Sequence, residues 1–398
     1  MSDFRDIIND PAIDMICVAT PDHWHAYICV EAMKNGKDVY CEKPLTWSVQ
    51  EAREIILAEK KYGRIFQTGS MQRSSREFRD AVALVHGGLI GDVKYVDANF
   101  GTHNDKCGGP SHPVRFWDNP SNAAKEGAPN SDCDWKLWLG PAKIRPYSDQ
   151  LAPRGVHSYF PLFWRCDDDL ATGYCGDWGA HHLDIAQWGL RMDASGPKRV
   201  IRSDEPHSTN LLHGGRRQFG VRMVFATPSG DVELTHGAFN LGWGTVFYGT
   251  KGIVAVNRGK IAVWTGIGTV KPTPEIRKQI GSCAFMPEKI AINSLGKKLY
   301  EQLDKLEKDY ADVIKRAGIY RSENHVRNFC ACVESRKAPI TTGEIGSRAS
   351  ILCQLCNISY KYDTGFDWDP VTMTFANGTG EGIALAREGG SNGWEVKA

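Results

Sequence analysis

The sequence lacks an excess of charge of either sign. Its 48 lysine and arginine residues almost balance its 47 aspartate and glutamate residues, which leaves a formal net charge of +1. Binding to nucleic acid or to an acidic membrane surface usually needs a clear excess of basic residues. The sequence also contains no apolar run near the roughly 18 residues that a membrane-spanning helix needs. We therefore expect neither nucleic acid nor a membrane among its partners.

A signal peptide is also missing from the visible sequence. Residues 1–20 contain no basic segment and no small-residue cleavage site. This absence predicts a cytoplasmic location, and any export signal of a longer chain would lie further upstream.

The twelve cysteines do not follow the pattern of a disulfide framework. Most of them lie inside apolar segments, as Cys17 and Cys41 do, which favours buried free thiols in a reducing compartment. Two closely spaced pairs lie in helical patterns without a second ligand pair at zinc-finger spacing, so packing is favoured and no metal site is predicted. These pairs are Cys330 with Cys332 and Cys353 with Cys356.

The sequence GxGxxG is absent from the whole chain. In dinucleotide-binding sheets this turn places the pyrophosphate at the N-terminus of a helix. Near matches begin at Gly266 and at Gly378, but both fail at the sixth position and are interpreted as solvated turns.

Strand and helix patterns alternate through the first ninety residues. Apolar runs of strand length occur at 13–20, 37–44 and 64–70, and a helical pattern follows each of them. This alternation predicts an α/β fold with a parallel sheet and helices across its faces. Ligands bind beyond the carboxyl ends of parallel strands, so the polar residues that follow the three strands should meet at one edge.

Because the GxGxxG turn is absent, we interpret these three strands as the second half of a doubly wound sheet. We therefore expect residues 1–92 to form the C-terminal half of such a domain, with residues 13–20 as an exposed edge strand. The preferred hypothesis is that this sequence is a truncated part of a longer protein. The alternative is a natural short protein that has lost the cofactor-binding half of the domain.

The pattern changes near residue 93. Amphipathic strands then alternate with tight turns such as PSGD and GTKG, and two helical patterns cover 323–339 and 343–362. This predicts a second α/β domain over residues 93–398, built on a large and mostly antiparallel sheet.

One segment, GYCGDWGAHHLDIAQWGL at 173–190, combines acid and imidazole side chains at helical spacing. Asp177 and His181 are four residues apart, so a helix brings them to one face, as it can Asp184. A carboxylate beside an imidazole can tune it as a general acid or base. The alternative is that Asp177 caps the helix and His181 is a core histidine. A metal site at His181, His182 and Asp184 is less favoured, because adjacent histidines face different sides.

Three ordered motifs, ATPDHWH, CEKP and GDWGAHHLD, together resemble the Gfo/Idh/MocA (glucose–fructose oxidoreductase/inositol dehydrogenase) family. The resemblance runs from residue 2 to about residue 370. It implies a Rossmann domain that binds NAD or NADP, followed by an α/β domain used for oligomerisation. It also implies hydride exchange with a secondary alcohol of a sugar, inositol or related polyol. The homo-oligomer expected is a dimer or tetramer formed through the antiparallel sheet.

The resemblance assigns catalysis to Lys43, Asp177 and His181. The lysine would contact the reacting hydroxyl, the histidine would exchange its proton, and the aspartate would support both. An ammonium group beside the reacting oxygen stabilises a developing alkoxide. The cofactor contacts implied are Thr20, Pro21, Asp22, His25, Glu42, Lys43, Pro44 and Gln72. The substrate contacts implied are Arg73, Trp135, His157, Arg165 and His182.

The missing phosphate-binding turn is the main departure from that family. Without it, we expect this chain to bind NAD or NADP weakly. Two alternatives to the oxidoreductase are a non-catalytic paralogue kept for assembly or sugar binding, and an NAD-dependent glycosidase of the same fold.

Overall fold

The fold is built on two sheets and a layer of helices. The computed structural model describes residues 3–99, 133–148, 151–152, 164–203, 220–236, 244–268, 272–273, 275–277, 280 and 292–398.

The first sheet is parallel, with strand order β1–β2–β3 in the described residues. Its register pairs Val18 with Cys41 and Cys41 with Thr68. The predicted parallel α/β unit is therefore confirmed, and β1 lies at the edge as expected. The elements of this unit are α1 (Phe4–Asn9), β1 (Met15–Val18), α2 (Asp22–Lys34), β2 (Asp38–Cys41), α3 (Val49–Tyr62), β3 (Phe66–Thr68) and α4 (Arg76–His86).

The helix α3 shows how local sequence sets the limits of these elements. Ser48 and Glu51 form a capping box at its start, which satisfies backbone N–H groups that have no partner within the helix. Gly63 ends it in the left-handed conformation with φ 59°, which glycine adopts at little cost. Only residues 42–48 therefore connect β2 to α3.

The second sheet is mostly antiparallel, as predicted. Within the described residues its order is β10–β9–β8–β4–β7–β6–β5–β11–β12, and β4 with β7 is the parallel pair. Its strands are β4 (Val93–Asn99), β5 (Arg199–Ser203), β6 (Gly220–Thr227), β7 (Gly230–His236), β8 (Gly244–Gly249), β9 (Gly252–Asn257), β10 (Lys260–Thr265), β11 (Phe366–Asp369) and β12 (Thr374–Ala376).

Helices from both parts of the fold pack with the second sheet in one hydrophobic core, while most of the buried apolar residues of β1, β2 and β3 form a separate cluster with α2. Leu352 and Cys353 of α10 lie in the same buried cluster as Ala52 of α3 and Leu183 of α6. The helix α6 is thus held between the first unit and the second sheet. The remaining helices are α5 (Trp135–Leu139), α6 (Gly173–Gly189), α7 (Ile292–Asp309), α8 (Ala311–Ala317), α9 (His325–Ser335) and α10 (Gly343–Tyr362).

The burial expected for cysteines in apolar segments is found only in part: Cys41 is buried, whereas Cys17 is exposed on the edge strand β1. Cys353 and Cys356 are buried in the core on α10, and the described cysteines are free thiols. Among the described residues, none of the helices has both the length and the apolar character needed to cross a membrane.

The sequence patterns do not predict the strands β11 and β12. They are short, and β11 carries an aspartate at alternate positions, Asp367 and Asp369. β11 forms because the edge of β5 offers unpaired backbone groups, to which Phe366 and Asp367 pair.

Candidate active site

The carboxyl ends of the three parallel strands open onto one cavity of about 770 Å³. Thr20 follows β1, Glu42 and Lys43 follow β2, and Gly69 follows β3, and all four line it. The predicted meeting of the strand ends is therefore what the structure shows. A volume of this size lies within the range of small-molecule sites.

Residues that follow β4 along the chain close the cavity from the other side. They contribute two aromatic rings from residues near α5 and α6, one imidazole from α6 and two guanidinium groups. These residues are Trp138, Trp164, Arg165, His181 and Arg258.

Lys43 and Asp177 join the two sides of this cavity. The Lys43 Nζ donates to the Asp177 Oδ1 and, at 3.0 Å, to the Asp177 backbone carbonyl. The Arg165 Nη1 lies 3.1 Å from the same Oδ1. Burial opposes the charge on Asp177, but Lys43 and Arg165 outweigh it and lower the pKa of the carboxyl below its usual range. The ionised Asp177 therefore fixes the lysine amine at the end of β2.

His181 lies one turn after Asp177 on α6, and its ring lines the same cavity. Burial, followed by the positive charges of Lys43 and Arg258, lowers the pKa of His181 well below its usual value. The imidazole is therefore neutral near pH 7 and can accept a proton. Its Nδ1 is enclosed and has no hydrogen-bond partner in the described part of the chain.

The expected pairing of Asp177 with His181 differs from the structure. The helix does bring both residues to the cavity, but the Asp177 carboxylate is bound by Lys43 and Arg165. Two cations attract the carboxylate more strongly than a neutral imidazole does. Asp177 thus positions the lysine, while His181 stands beside that ion pair.

The turns after β1 and β2 are tied together by His25. Its Nε2 lies 2.7 Å from the Thr20 carbonyl, and its Nδ1 lies 2.8 Å from the Pro44 carbonyl. The Lys43–Pro44 peptide bond is cis. His25 therefore holds the two predicted cofactor-binding turns at a fixed separation.

Asp22 connects the first turn to α6. The side chain is buried, and its Oδ2 accepts hydrogen bonds from the Thr172 backbone N–H at 3.1 Å and hydroxyl at 3.2 Å. Burial raises the pKa of Asp22. Asp22 also lines the cavity beside Pro21, so it has both a structural contact and access to a ligand.

Gln72 lies between His181 and a residue that the sequence patterns do not single out. Its Nε2 donates to the His181 backbone carbonyl at 3.4 Å, and its Oε1 accepts from the Arg258 Nε at 3.0 Å. Arg258 lies in the turn between β9 and β10. The one sequence signal for it is the basic side chain in the hairpin turn NRGK, which does not by itself indicate a site.

Arg73 does not line the cavity, although it follows Gln72 directly. Its side chain is 1% exposed and pairs with Asp184 and Asp193. The substrate contact predicted for Arg73 is therefore corrected to a structural ion pair. Asp184 was expected on the same helix face as Asp177, but its carboxylate binds Arg73. Neighbouring positions in a short helical turn point in different directions, so Gln72 and Arg73 diverge.

His182 is also directed away from the cavity. The ring is fully buried between Phe78 and Trp178, and neither of its nitrogens has a hydrogen-bond partner among the described residues. Burial lowers the pKa of His182 to about 3. The prediction that His182 contacts the substrate is therefore corrected: the residue packs in the core.

The prediction that Trp135 contacts the substrate is corrected, because Trp138 and not Trp135 lines the cavity. The Trp135 ring stacks on Trp138 at 5.0 Å and donates its Nε1 to the Arg145 carbonyl at 2.7 Å, behind the cavity wall. Trp138 itself lines the cavity, and Arg165 lines it as predicted. His157, the remaining predicted substrate contact, lies outside the described residues.

Comparison with known proteins places the chain in a family. Residues 1–70 match the model of an oxidoreductase family with an NAD-binding Rossmann fold, and residues 111–218 match that family's C-terminal α/β domain. An uncharacterized oxidoreductase of Streptococcus pneumoniae is 33% identical over 260 residues, which cover 59% of this chain and 68% of that protein. The chain belongs to the Gfo/Idh/MocA oxidoreductase family.

Other relatives of this Gfo/Idh/MocA chain match over shorter lengths or at lower identity. The scyllo-inositol 2-dehydrogenase (NAD(+)) of Bacillus subtilis is 34% identical over 90 residues, and the chain spans 26% of its length. The solved structure of levoglucosan dehydrogenase with NADH and levoglucosan superposes with a TM-score of 0.52 at 17% identity, covering 93% of this chain and 84% of that one. The structural likeness establishes the shared fold.

Proposed function

We propose that this chain carries the nicotinamide and substrate side of an NAD-dependent oxidoreductase that acts on a secondary alcohol of a sugar, inositol or related polyol. The observation that carries the proposal is the shared cavity: the Lys43 amine, held by Asp177, and the His181 ring both line it at the ends of the parallel strands. The inositol and levoglucosan dehydrogenases named above support this class of substrate.

The residues at the strand ends fit the nicotinamide end of NAD. Thr20, Pro21 and Glu42 line one wall of a cavity whose volume suits a small-molecule site. A ligand in an open α/β sheet binds at this edge, beyond the carboxyl ends of the strands. When bound there, NAD would supply the hydride acceptor or donor.

The proton and charge chemistry falls to the side chains of this chain. The Lys43 ammonium would orient the substrate hydroxyl and stabilise negative charge on its oxygen. The neutral His181 would accept the hydroxyl proton in oxidation and return it in reduction. We assign the transfer to Nε2, because Nδ1 is enclosed. Asp177 and Arg165 would keep the lysine amine in place.

The site offers polar and aromatic contacts of the kind that bind sugars. Trp138 presents a ring to the cavity, and Arg165 presents a forked donor.

We include in the proposal a domain limit near residue 92, weak NAD binding and a homo-oligomer formed through the antiparallel sheet. Light scattering of the purified chain would test the last point.

The test is a substrate screen on the purified chain. NAD and NADP at millimolar concentration are each combined with inositols, hexoses and anhydrosugars, and NADH or NADPH absorbance is followed. We expect turnover with at least one polyol and quenching of NADH fluorescence on binding. Absence of both, in a chain whose circular dichroism shows an intact fold, would contradict the proposal and favour the non-catalytic alternative.

A further inference from the structure

The hairpin between β9 and β10 reaches from the second sheet to the cavity. Its turn is fixed by local contacts: the Asn257 Oδ1 accepts from the Arg258 N–H at 2.8 Å. Gly259, with φ 72°, donates its N–H to the Glu77 Oε1 at 3.2 Å. The turn is thereby anchored to the first turn of α4, which sets the position of the intervening arginine.

Arg258 contacts two of the residues that surround His181. Its Nε donates to the Gln72 Oε1, and Gln72 in turn donates to the His181 backbone carbonyl. The guanidinium carbon lies 4.7 Å from the centre of the Trp178 ring, which is within cation–π range. The Trp178 ring meets the His181 ring edge to face at 5.7 Å. One side chain thus supports both the backbone and the ring of the histidine.

We infer that Arg258 is a positioning residue of the active site: it holds Gln72 and Trp178 against His181 and keeps a fixed positive charge beside the imidazole. This inference rests on the proposed function only in giving His181 the role of proton acceptor. The contacts that carry it join the hairpin of the second sheet to the catalytic helix α6.

The charge has a consequence for the protonation of His181. Burial lowers the pKa of His181 most, followed by Lys43 from the turn after β2, Arg258 from the hairpin and His182 on the same helix. The acids of the cavity and of α6 have partners of their own. Asp177 pairs with Lys43, and Glu77 accepts from the hairpin backbone. Asp22 accepts from Thr172, and Glu42 accepts from the Tyr40 hydroxyl. Removing the Arg258 charge should therefore move the His181 titration midpoint upward, toward the ordinary histidine pKa of about 6.5.

The activity should change in the same direction along the pH axis. Alcohol oxidation requires neutral His181, so kcat/KM falls as the pH drops through its pKa. In wild type we expect this acid limb well below pH 6.5, because burial and the nearby positive charges lower the pKa of His181 well below that value. In Arg258→Ala it should move to higher pH, and misplacement of the ring should lower kcat by roughly tenfold to a hundredfold.

The test combines a titration of the ring with kinetics. Histidine labelled in the ring is followed by NMR from acid to neutral pH, with the His181 signal assigned from its absence in His181→Gln. Arg258→Ala is compared with Arg258→Lys, which keeps the charge but loses the forked donor. Lys305→Ala, which removes one exposed positive charge from α7, is the matched control.

We expect a raised His181 midpoint in Arg258→Ala, a midpoint close to wild type in Arg258→Lys, and a lowered kcat in both. An unchanged midpoint in a folded Arg258→Ala protein would overturn the inference, as would an equal rise in Lys305→Ala. The NMR result does not depend on turnover. If the wild-type chain shows no turnover but the His181 midpoint still rises in Arg258→Ala, the proposed function is refuted. The inference that Arg258 positions His181 and sets its charge environment then still holds.

Discussion

Arg73 and Asp184 form a buried ion pair that joins the turn after β3 to α6. The Arg73 Nε lies 2.9 Å from Asp184 Oδ2, and its Nη2 lies 2.7 Å from Oδ1, so the contact is bidentate. Both side chains are 1% exposed. The guanidinium also packs over the Trp188 ring at 5.1 Å. The pair fixes the helix that carries Asp177 and His181 against the first sheet.

Removing one partner of this pair should strongly destabilise the chain. A charge left unpaired in the interior costs about 3–5 kcal/mol of the free energy of unfolding. We expect Arg73→Met to lower the unfolding midpoint in denaturant most, because it leaves the buried Asp184 carboxylate without its partner. Asp184→Asn should lower the midpoint less, because Asp193 still pairs with Arg73. The double variant Arg73→Met/Asp184→Leu should recover part of the loss.

A matched control is the exposed pair Arg199 with Asp367, in which the arginine side chain is 56% exposed. Solvent screens such pairs, so Arg199→Ala should leave the unfolding midpoint essentially unchanged. Equal midpoints for Arg73→Met and Arg199→Ala would show that the buried pair does not hold α6.

Lys43→Ala should abolish most of the turnover with the fold intact. The amine is the group placed to stabilise charge on the reacting oxygen, so kcat should fall by roughly a hundredfold or more. Lys34→Ala is the control, since this lysine is on α2 and pairs with Glu31 at the surface. Steady-state kinetics measures both, and near wild-type kcat for Lys43→Ala would remove the lysine from the proposed mechanism.

Trp138 and Trp135 should differ in their effect on substrate binding. Trp138 lines the cavity, so Trp138→Ala should raise KM by roughly tenfold, the loss of one aromatic contact. Trp135→Phe keeps a ring stacked behind Trp138 and should change KM little. If Trp135→Phe raised KM more than Trp138→Ala, the assignment of the cavity wall would be wrong.

The pattern of strands, helices and strand ends could be read from the sequence because each depends on neighbours along the chain. The helical pattern that follows the apolar run at 37–44 indicated α3, and the local caps Ser48 and Gly63 set its limits in the structure. The end of β2 at Glu42 and Lys43 followed from a buried strand meeting charged residues. These signals located the edge at which Lys43 now lines the cavity.

The direction of individual side chains was much harder to predict. Gln72 and Arg73 are adjacent, and so are His181 and His182. All four are buried, yet only Gln72 and His181 line the cavity. Sequence spacing fixes the element but not which packed neighbour a side chain meets. The cavity side was decided by partners such as Asp184, which binds Arg73 from a position 111 residues away.

The sequence by itself determined a parallel sheet with polar strand ends, a mostly antiparallel second sheet, and a helix that carries Asp177 and His181, because these features follow from local periodicity and turn chemistry. Only the tertiary structure decided that Asp177 binds Lys43 and not His181, and that Arg258 supports the site from a hairpin 186 residues beyond Gln72. The physical reason is that charge pairing and packing act through space, between residues whose separation along the chain carries no information about their contact.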